Sequence, residues 1–233
     1  MARPKNADGQ RTRQAILDAA LDLFADKGFF GTSLRDVARA VGVRESALYN
    51  YFTGKDALFD ALLDAHQTIK SERLTVFTEG PITNGRALLE RLAITTLAGF
   101  VEPREQKMFR ILLSDGVRMA RLGRVNLYER LTSGRVGVAA ILQRLTRDGW
   151  LRKADSHLLG VAFMGPLVTW RQLHAINADL PMIRNPRLYA RQHVDLFLQG
   201  AAAPAARRPA AGRARVGAST TAARPAKSRR PSP

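Results

Sequence analysis

The sequence predicts an all-α protein. Three observations carry that reading. Apolar residues recur at helical spacing in segment after segment, Pro and Gly punctuate those segments, and no alternating polar–apolar run bounded by turns competes as a strand. With 233 residues, 45% of them hydrophobic, the chain can build one large domain or a small domain followed by a larger one.

The elements follow in order. Residues 1–9 read as a flexible basic arm. Between Arg11 and Lys27, Ile16, Ala19, Ala20, Leu23 and Phe24 fall at i, i+3, i+4, i+7 and i+8, the buried face of an amphipathic helix. Gly28 suits a left-handed cap at its end. Thr32 and Ser33 are adjacent candidate N-caps, and Ser33 with Asp36 forms a capping-box pattern. A short helix from Leu34 to Ala40 then buries Leu34, Val37 and Ala38. Gly42 is free to take positive φ in the break that follows. A second short helix spans about Arg44 to Asn50, and Tyr51-Phe52 closes it. After the Thr53-Gly54 turn a long helix starts near Lys55 and carries Leu58, Phe59, Leu62, Leu63 and Ile69. Further helices are predicted over about 83–101, 104–120, 122–149, 155–178 and 186–199, punctuated by Pro81, Pro103, Gly149, Pro181 and Pro186. Residues 201–233 have no aromatic side chain and almost no large apolar one, so they cannot build a core and are expected to form a disordered basic tail.

The net charge is +17, which favours polyanionic partners. Eight Arg or Lys and no acidic residue lie in 201–233, so the total alone does not separate nucleic-acid binding from a solvated basic surface. The absence of cysteine removes disulfides, thiolate metal sites and cysteine nucleophiles, and fits a cytoplasmic protein. The N-terminal stretch has no apolar run behind it, and no segment of about 18 apolar residues occurs, so neither a signal peptide nor a membrane helix is expected. His66, His157, His174 and His193 lack metal-ligand spacing, Asp115 and Asp155 are isolated carboxylates, and the SGRVG stretch ending at Gly137 is no phosphate loop. No metal, cofactor or catalytic activity is expected.

Residues 33–52 are the informative stretch. Two short helices joined by a glycine turn fit a helix-turn-helix, whose second helix enters the major groove, and they also fit an ordinary helical hairpin. The ordered set Gly31-Thr32-Ser33-Leu34-Arg35-Asp36-Val37-Ala38, Val41-Gly42-Val43, Leu48-Tyr49-Asn50-Tyr51-Phe52 and Lys55-Asp56-Ala57-Leu58 closely resembles the TetR family of regulators. The resemblance covers about residues 10–70. It implies an Ω-shaped homodimer with an N-terminal three-helix DNA-reading domain over 10–70. A larger helical domain over 71–200 would bind a small effector and dimerise. That second part looks loosely like multidrug-efflux and fatty-acid-type regulators.

Site residues follow from the motif and the resemblance together. Thr32 and Ser33 begin a helix whose free N–H groups, with their hydroxyls, can meet phosphate. Tyr49 stands where the family places a tyrosine against the DNA backbone. Lys55, at the start of the long helix, is expected at phosphate. Arg44, Glu45, Ser46, Ala47 and Asn50 are the candidate base readers. Leu48 and Phe52 read as core. The family often carries a Ser-Lys-Gly-Thr type of sequence where this chain has Arg44-Glu45-Ser46-Ala47, so a carboxylate replaces a common cation and no known operator transfers.

In the C-terminal part, Phe100, Met108, Phe109, Leu112, Phe163, Met164 and Trp170 form a bulky apolar set, mostly core, part of which is expected to line an effector pocket. The stretch Leu158 to Trp170 is apolar nearly all round, and Leu188, Val194, Leu196 and Phe197 add a second stripe. Leu159, Phe163, Leu167, Val194 and Phe197 are accordingly expected at a four-helix dimer interface. The resulting expectation is a homodimeric repressor that binds a palindromic operator in double-stranded DNA and is released by a hydrophobic or amphipathic small molecule. The alternative is an activator or an architectural, non-specific DNA-binding protein.

Overall fold

The computed structural model describes residues 5–124 and 127–202, with side chains described for 8–124 and 137–202. Among the described residues it has ten helices: α1 Lys5–Gly31, α2 Leu34–Val41, α3 Glu45–Leu48, α4 Lys55–Thr75, α5 Gly85–Phe100, α6 Pro103–Ser114, α7 Gly116–Arg121, α8 Leu127–Arg147, α9 Ser156–Ile176 and α10 Pro186–Ala201. No helix among them is long and apolar enough to cross a membrane.

Two apolar clusters organise the chain. In the first, Ile16, Leu17, Ala20 and Phe24 of α1 pack on Val37 and Ala38 of α2, Leu48 of α3, Phe52, and Leu58, Phe59, Leu62 and Leu63 of α4. At its centre the rings of Phe24, Phe29 and Phe59 lie 5.3 to 5.9 Å apart. Truncating any one of these rings to Ala would cost about 3–5 kcal/mol. The second cluster joins α5, α8, α9 and α10 through Leu89, Leu92, Leu97, Ile141, Leu145, Phe163, Leu167, Trp170, Val194 and Phe197. α4 belongs to both, because Leu74 near its end packs against the second cluster.

The helices depart from their predicted limits in several places, among them 122–124, which form a turn with Gly123 at positive φ so that α8 begins only at Leu127. α1 starts at Lys5, so residues 5–9 are helical rather than a flexible arm. Gly28 has positive φ (77°) but ψ of 160°, which is not a left-handed cap, and the helical assignment runs on to Gly31. The predicted helix over 104–120 is broken at Asp115 into α6 and α7. α3 is only four residues long, extended by turns at Asn50 and Tyr51. Ala201 closes α10 and is buried, and Ala202 pairs with Leu151, so the first two residues of the expected tail belong to the folded part; residues 203–233, the rest of that expectation, lie outside the described residues.

Candidate nucleic-acid interface

Local chemistry fixes the two short helices. Asp36 N–H donates to Ser33 Oγ at 3.2 Å, and Ser33 N–H donates to Asp36 Oδ2 at 3.0 Å, so the reciprocal capping box forms. The Ser33 hydroxyl bonds to the same carboxylate and is the main cause holding Asp36 below its ordinary carboxylate range. Gly42 ends α2 in the left-handed region (φ 76°, ψ 27°). Val43 N–H then returns to Ala38 O at 3.0 Å, which turns the chain sharply into α3.

Leu48 at the end of α3 and Phe52 just beyond the turn that follows point into the first cluster, at 1% and 5% exposure. Arg44, Glu45, Ser46, Tyr49 and Asn50 are exposed, and Ala47 is half-buried. Among the described residues neither Arg44 nor Glu45 takes part in an ion pair. A rigid apolar back thus presents a polar face carrying a guanidinium, a carboxylate, an amide and a phenol, the groups that read base edges and phosphates.

Lys55 braces this unit. Its Nζ donates to Phe29 O and Thr32 O, both at 2.8 Å, and sits 4.5 Å from the Phe29 ring centroid. Burial first, and then the charge of Arg124, lowers its pKa from the ordinary lysine value.

The unit is docked on α6 and α7. Phe29 N–H donates to Asp115 Oδ2 at 2.7 Å. Along α1, Asp18, Asp22 and Asp26 meet Arg104, Lys107 and Arg110 of α6 at 2.6, 2.5 and 3.4 Å. Beneath this zipper Met108 and Ile111 of α6 and Met119 of α7 enter the first apolar cluster. Arg118 covers the Phe30 ring at 3.9 Å, and Arg124 pairs with Asp56 at 2.9 Å.

Comparison with known proteins agrees with this architecture. Residues 16–62 match the family model of bacterial regulatory proteins of the tetR family, and residues 87–200 match the C-terminal domain of AefR-like transcriptional repressors. The chain belongs to the TetR family. The transcriptional regulator AcrR of Shigella flexneri is 34% identical over 101 residues, covering 42% of this chain and 47% of AcrR. The chain spans between 32% and 50% of the length of the first curated relatives it matches. A TetR-family structure from Mesorhizobium loti superposes with a TM-score of 0.69 at 24% identity, covering 83% of this chain and 98% of that one. SmeT, the repressor of the SmeDEF multidrug efflux pump of Stenotrophomonas maltophilia, superposes with a TM-score of 0.65 at 18% identity, covering 83% and 91%. Both structural likenesses concern the fold.

Against this TetR-family frame, several expected site residues are placed differently. Thr32 is 2% exposed, and its hydroxyl donates toward Gly28 O and Leu23 O at 2.9 and 3.1 Å, so that hydroxyl faces the protein rather than a phosphate. Lys55 directs its ammonium inward, with two of its three donors committed to carbonyls.

The seven expected pocket residues do not share one site. Met108 and Leu112 pack on the cluster formed by α1 to α4. Phe100, Phe163 and Trp170 are core, with Trp170 Nε1 donating to Ile183 O at 3.0 Å, and Met164 packs against that core. Phe109 lies under Arg171, its ring centroid 3.9 Å from the guanidinium.

The expected interface residues Leu159, Phe163, Leu167, Val194 and Phe197 all belong to the chain's own second cluster, and of these Leu159 and Phe197 also line the groove between α9 and α10. The neighbouring positions face outward: Leu158 and Leu196 are 65% and 69% exposed, with Val161 and Leu188 beside them. Between α9 and α10 runs a mainly apolar groove of about 590 Å³, bordered by Leu158, Ala162, Pro166, Tyr189 and Leu196. An all-round apolar helix must be covered on both faces, and sequence spacing alone did not say which face its own domain takes.

The α1–α6 zipper and Asp115 were missed at the sequence level. The signal was present for the zipper: aspartates spaced by four on α1 and cations spaced by three on α6 both form one-sided helical rows.

Proposed function

We propose that this chain is a homodimeric transcriptional regulator that binds a palindromic operator through α3 and is released from it by a hydrophobic or amphipathic small molecule. The observation that carries the reading is the exposed polar face of Arg44, Glu45, Ser46, Tyr49 and Asn50 on a helix whose other side is locked by Leu48 and Phe52. Ser33 and the backbone N–H groups opening α2 are the proposed phosphate contacts, with Tyr49 beside them.

Release is proposed to run through α6. The zipper and the Asp115 contact tie the reading unit to α6 and α7, so a shift of α6 re-aims α3. In a dimer this changes the distance between the two recognition helices, and effector and operator then oppose each other reciprocally. The second copy is proposed to cover the α9–α10 groove through Leu158, Val161 and Leu196. Regulators of the TetR family bind operator DNA and typically act as dimers with small-molecule effectors.

Footprinting of the full chain on DNA flanking its own gene tests the reading. The expected result is a protected pair of half-sites about one helical turn, or a multiple, apart. Uniform protection of every fragment at the same protein concentration would contradict it.

A further inference from the structure

Where α4, α6 and α9 meet, four polar side chains converge in an apolar setting. His66 and Lys70 come from α4, Glu105 from α6 and Arg171 from α9. Glu105 is 6% exposed. Its Oε2 lies 3.2 Å from His66 Nε2, and its Oε1 lies 2.9 Å from Arg171 Nη1 and 3.6 Å from Lys70 Nζ. Arg171 Nη2 also donates to Glu105 O at 2.8 Å. The guanidinium lies against two rings, 3.9 Å from the Phe109 centroid and 4.8 Å from that of Phe100.

The charges do not balance. Burial drives the His66 pKa down to about 4, so the imidazole is neutral near pH 7. Burial also lowers the pKa of Lys70 and of Arg171, which marks both charges as costly there; as cations the two share a single carboxylate, which leaves one positive charge in excess. Hydrogen bonding is incomplete as well. Arg171 Nε is buried without a partner, and Glu105 Oε1, though close to Arg171, is not aligned for a hydrogen bond. A buried cation excess with an unused guanidinium donor is costly unless an anion completes it. Nearby, Glu102 is committed to Arg73 and Asp18 to Arg104, so neither carboxylate supplies the missing negative charge. Lys70 keeps 32% of its side chain exposed, which gives the cluster a side open to an arriving anion.

We propose that Arg171 and Lys70 receive the carboxylate head of an amphipathic effector, whose apolar body lies against the half-buried Phe109. The proposal rests on the reading of the chain as a ligand-responsive regulator, and it assigns that ligand's charge. The arriving carboxylate competes with Glu105 for both cations. Glu105 sits on α6, the helix whose Arg104, Lys107 and Arg110 hold α1. Loosening Glu105 therefore loosens the helix that aims the DNA-reading unit.

Calorimetric titration of the full chain with two matched pairs tests this: decanoate against decan-1-ol, and benzoate against benzyl alcohol, all below micellar concentrations. At least one carboxylate should bind ten times or more tighter than its alcohol. Arg171→Gln should weaken that carboxylate at least tenfold, and Lys70→Gln, at a more exposed position, should weaken it several-fold with circular dichroism unchanged. Glu105→Gln should tighten it several-fold, because the resident competitor is gone. A Glu105 that serves only the fold would leave affinity unchanged or lower in that variant. Equal affinity for carboxylate and alcohol, no carboxylate binding in the wild type, or weaker binding in Glu105→Gln overturns the proposal. Fluorescence anisotropy on the footprinted DNA, run on the same preparation, separates the two levels. Operator binding without carboxylate binding overturns the ligand assignment alone, whereas failure to bind any DNA selectively overturns the regulatory reading beneath it.

Discussion

The carboxylate of Asp115 accepts the backbone N–H of Phe29 at 2.7 Å, joining two residues 86 positions apart. Gly28, with φ of 77° and ψ of 160°, breaks the helical backbone just before Phe29, and Asp115 stands at the break between α6 and α7. Two interruptions in regular structure are therefore stitched to each other. Asp115→Ala should cost about 1.5–3 kcal/mol, the range for a hydrogen bond to a charged group. Gly28→Ala should also destabilise, because its φ is unfavourable for Ala and its Cβ would come 3.0 Å from Asp115 Oδ2. Urea unfolding measures both, and stability unchanged in both variants would show that this contact does not hold the two units together.

Lys55 is expected to act as a brace. Lys55→Met should lose about 1–3 kcal/mol of stability, since two carbonyls lose a charged donor. Its operator affinity should fall, while the slope of log affinity against log salt stays as in the wild type. A slope shallower by about one unit with stability intact would place the ammonium on phosphate instead.

The pH dependence of stability should carry the signature of His66. Burial is the main cause lowering its pKa from 6.5 to about 4, against the opposing pull of Glu105. The unfolded chain thus takes up the proton first. The His66 contribution is complete above about pH 6.5 and is lost progressively as the pH falls toward 4, amounting to at most about 3 kcal/mol. Thermal unfolding across that range should show stability rising with pH, and His66→Asn should flatten the rise. An equal slope in the variant would assign the effect to other groups.

Assembly should depend on the outer side chains of α9 and α10. Leu158→Glu or Leu196→Glu should yield a folded monomer by light scattering, with helical content retained. Leu159→Glu, one position away but 6% exposed, should instead unfold the second cluster. A Leu158→Glu, Leu196→Glu double variant that stays dimeric would move the interface elsewhere.

What the sequence disclosed was set by range. The Ser33–Asp36 cap, the Gly42 turn and the inward Leu48 and Phe52 depend on neighbours within one or two turns, and all four were legible. The inward turn of Lys55 was not, because its acceptors Phe29 O and Thr32 O lie 26 and 23 residues back and reach it only after α4 packs on α1, and that of Thr32 was missed because its bond to Gly28 O depends on the non-helical backbone at Gly28. The side of α9 that faces home was not legible either, since Leu158 and Leu159 offer the same chemistry to opposite faces. Glu105 carried no local sign of burial, as its cations come from helices 35 and 66 residues away.

Whether α3 reads bases is decided by selecting bound sequences from a random DNA pool. The wild-type chain should enrich a palindrome whose half-sites lie about one helical turn or a multiple apart. Glu45→Ala should relax preference at one position in each half-site, by about 1–3 kcal/mol of discrimination, because a carboxylate accepts only from a base amino group such as that of cytosine. A wild-type pool that remains unenriched, or bound equally well whatever its sequence, would contradict the account.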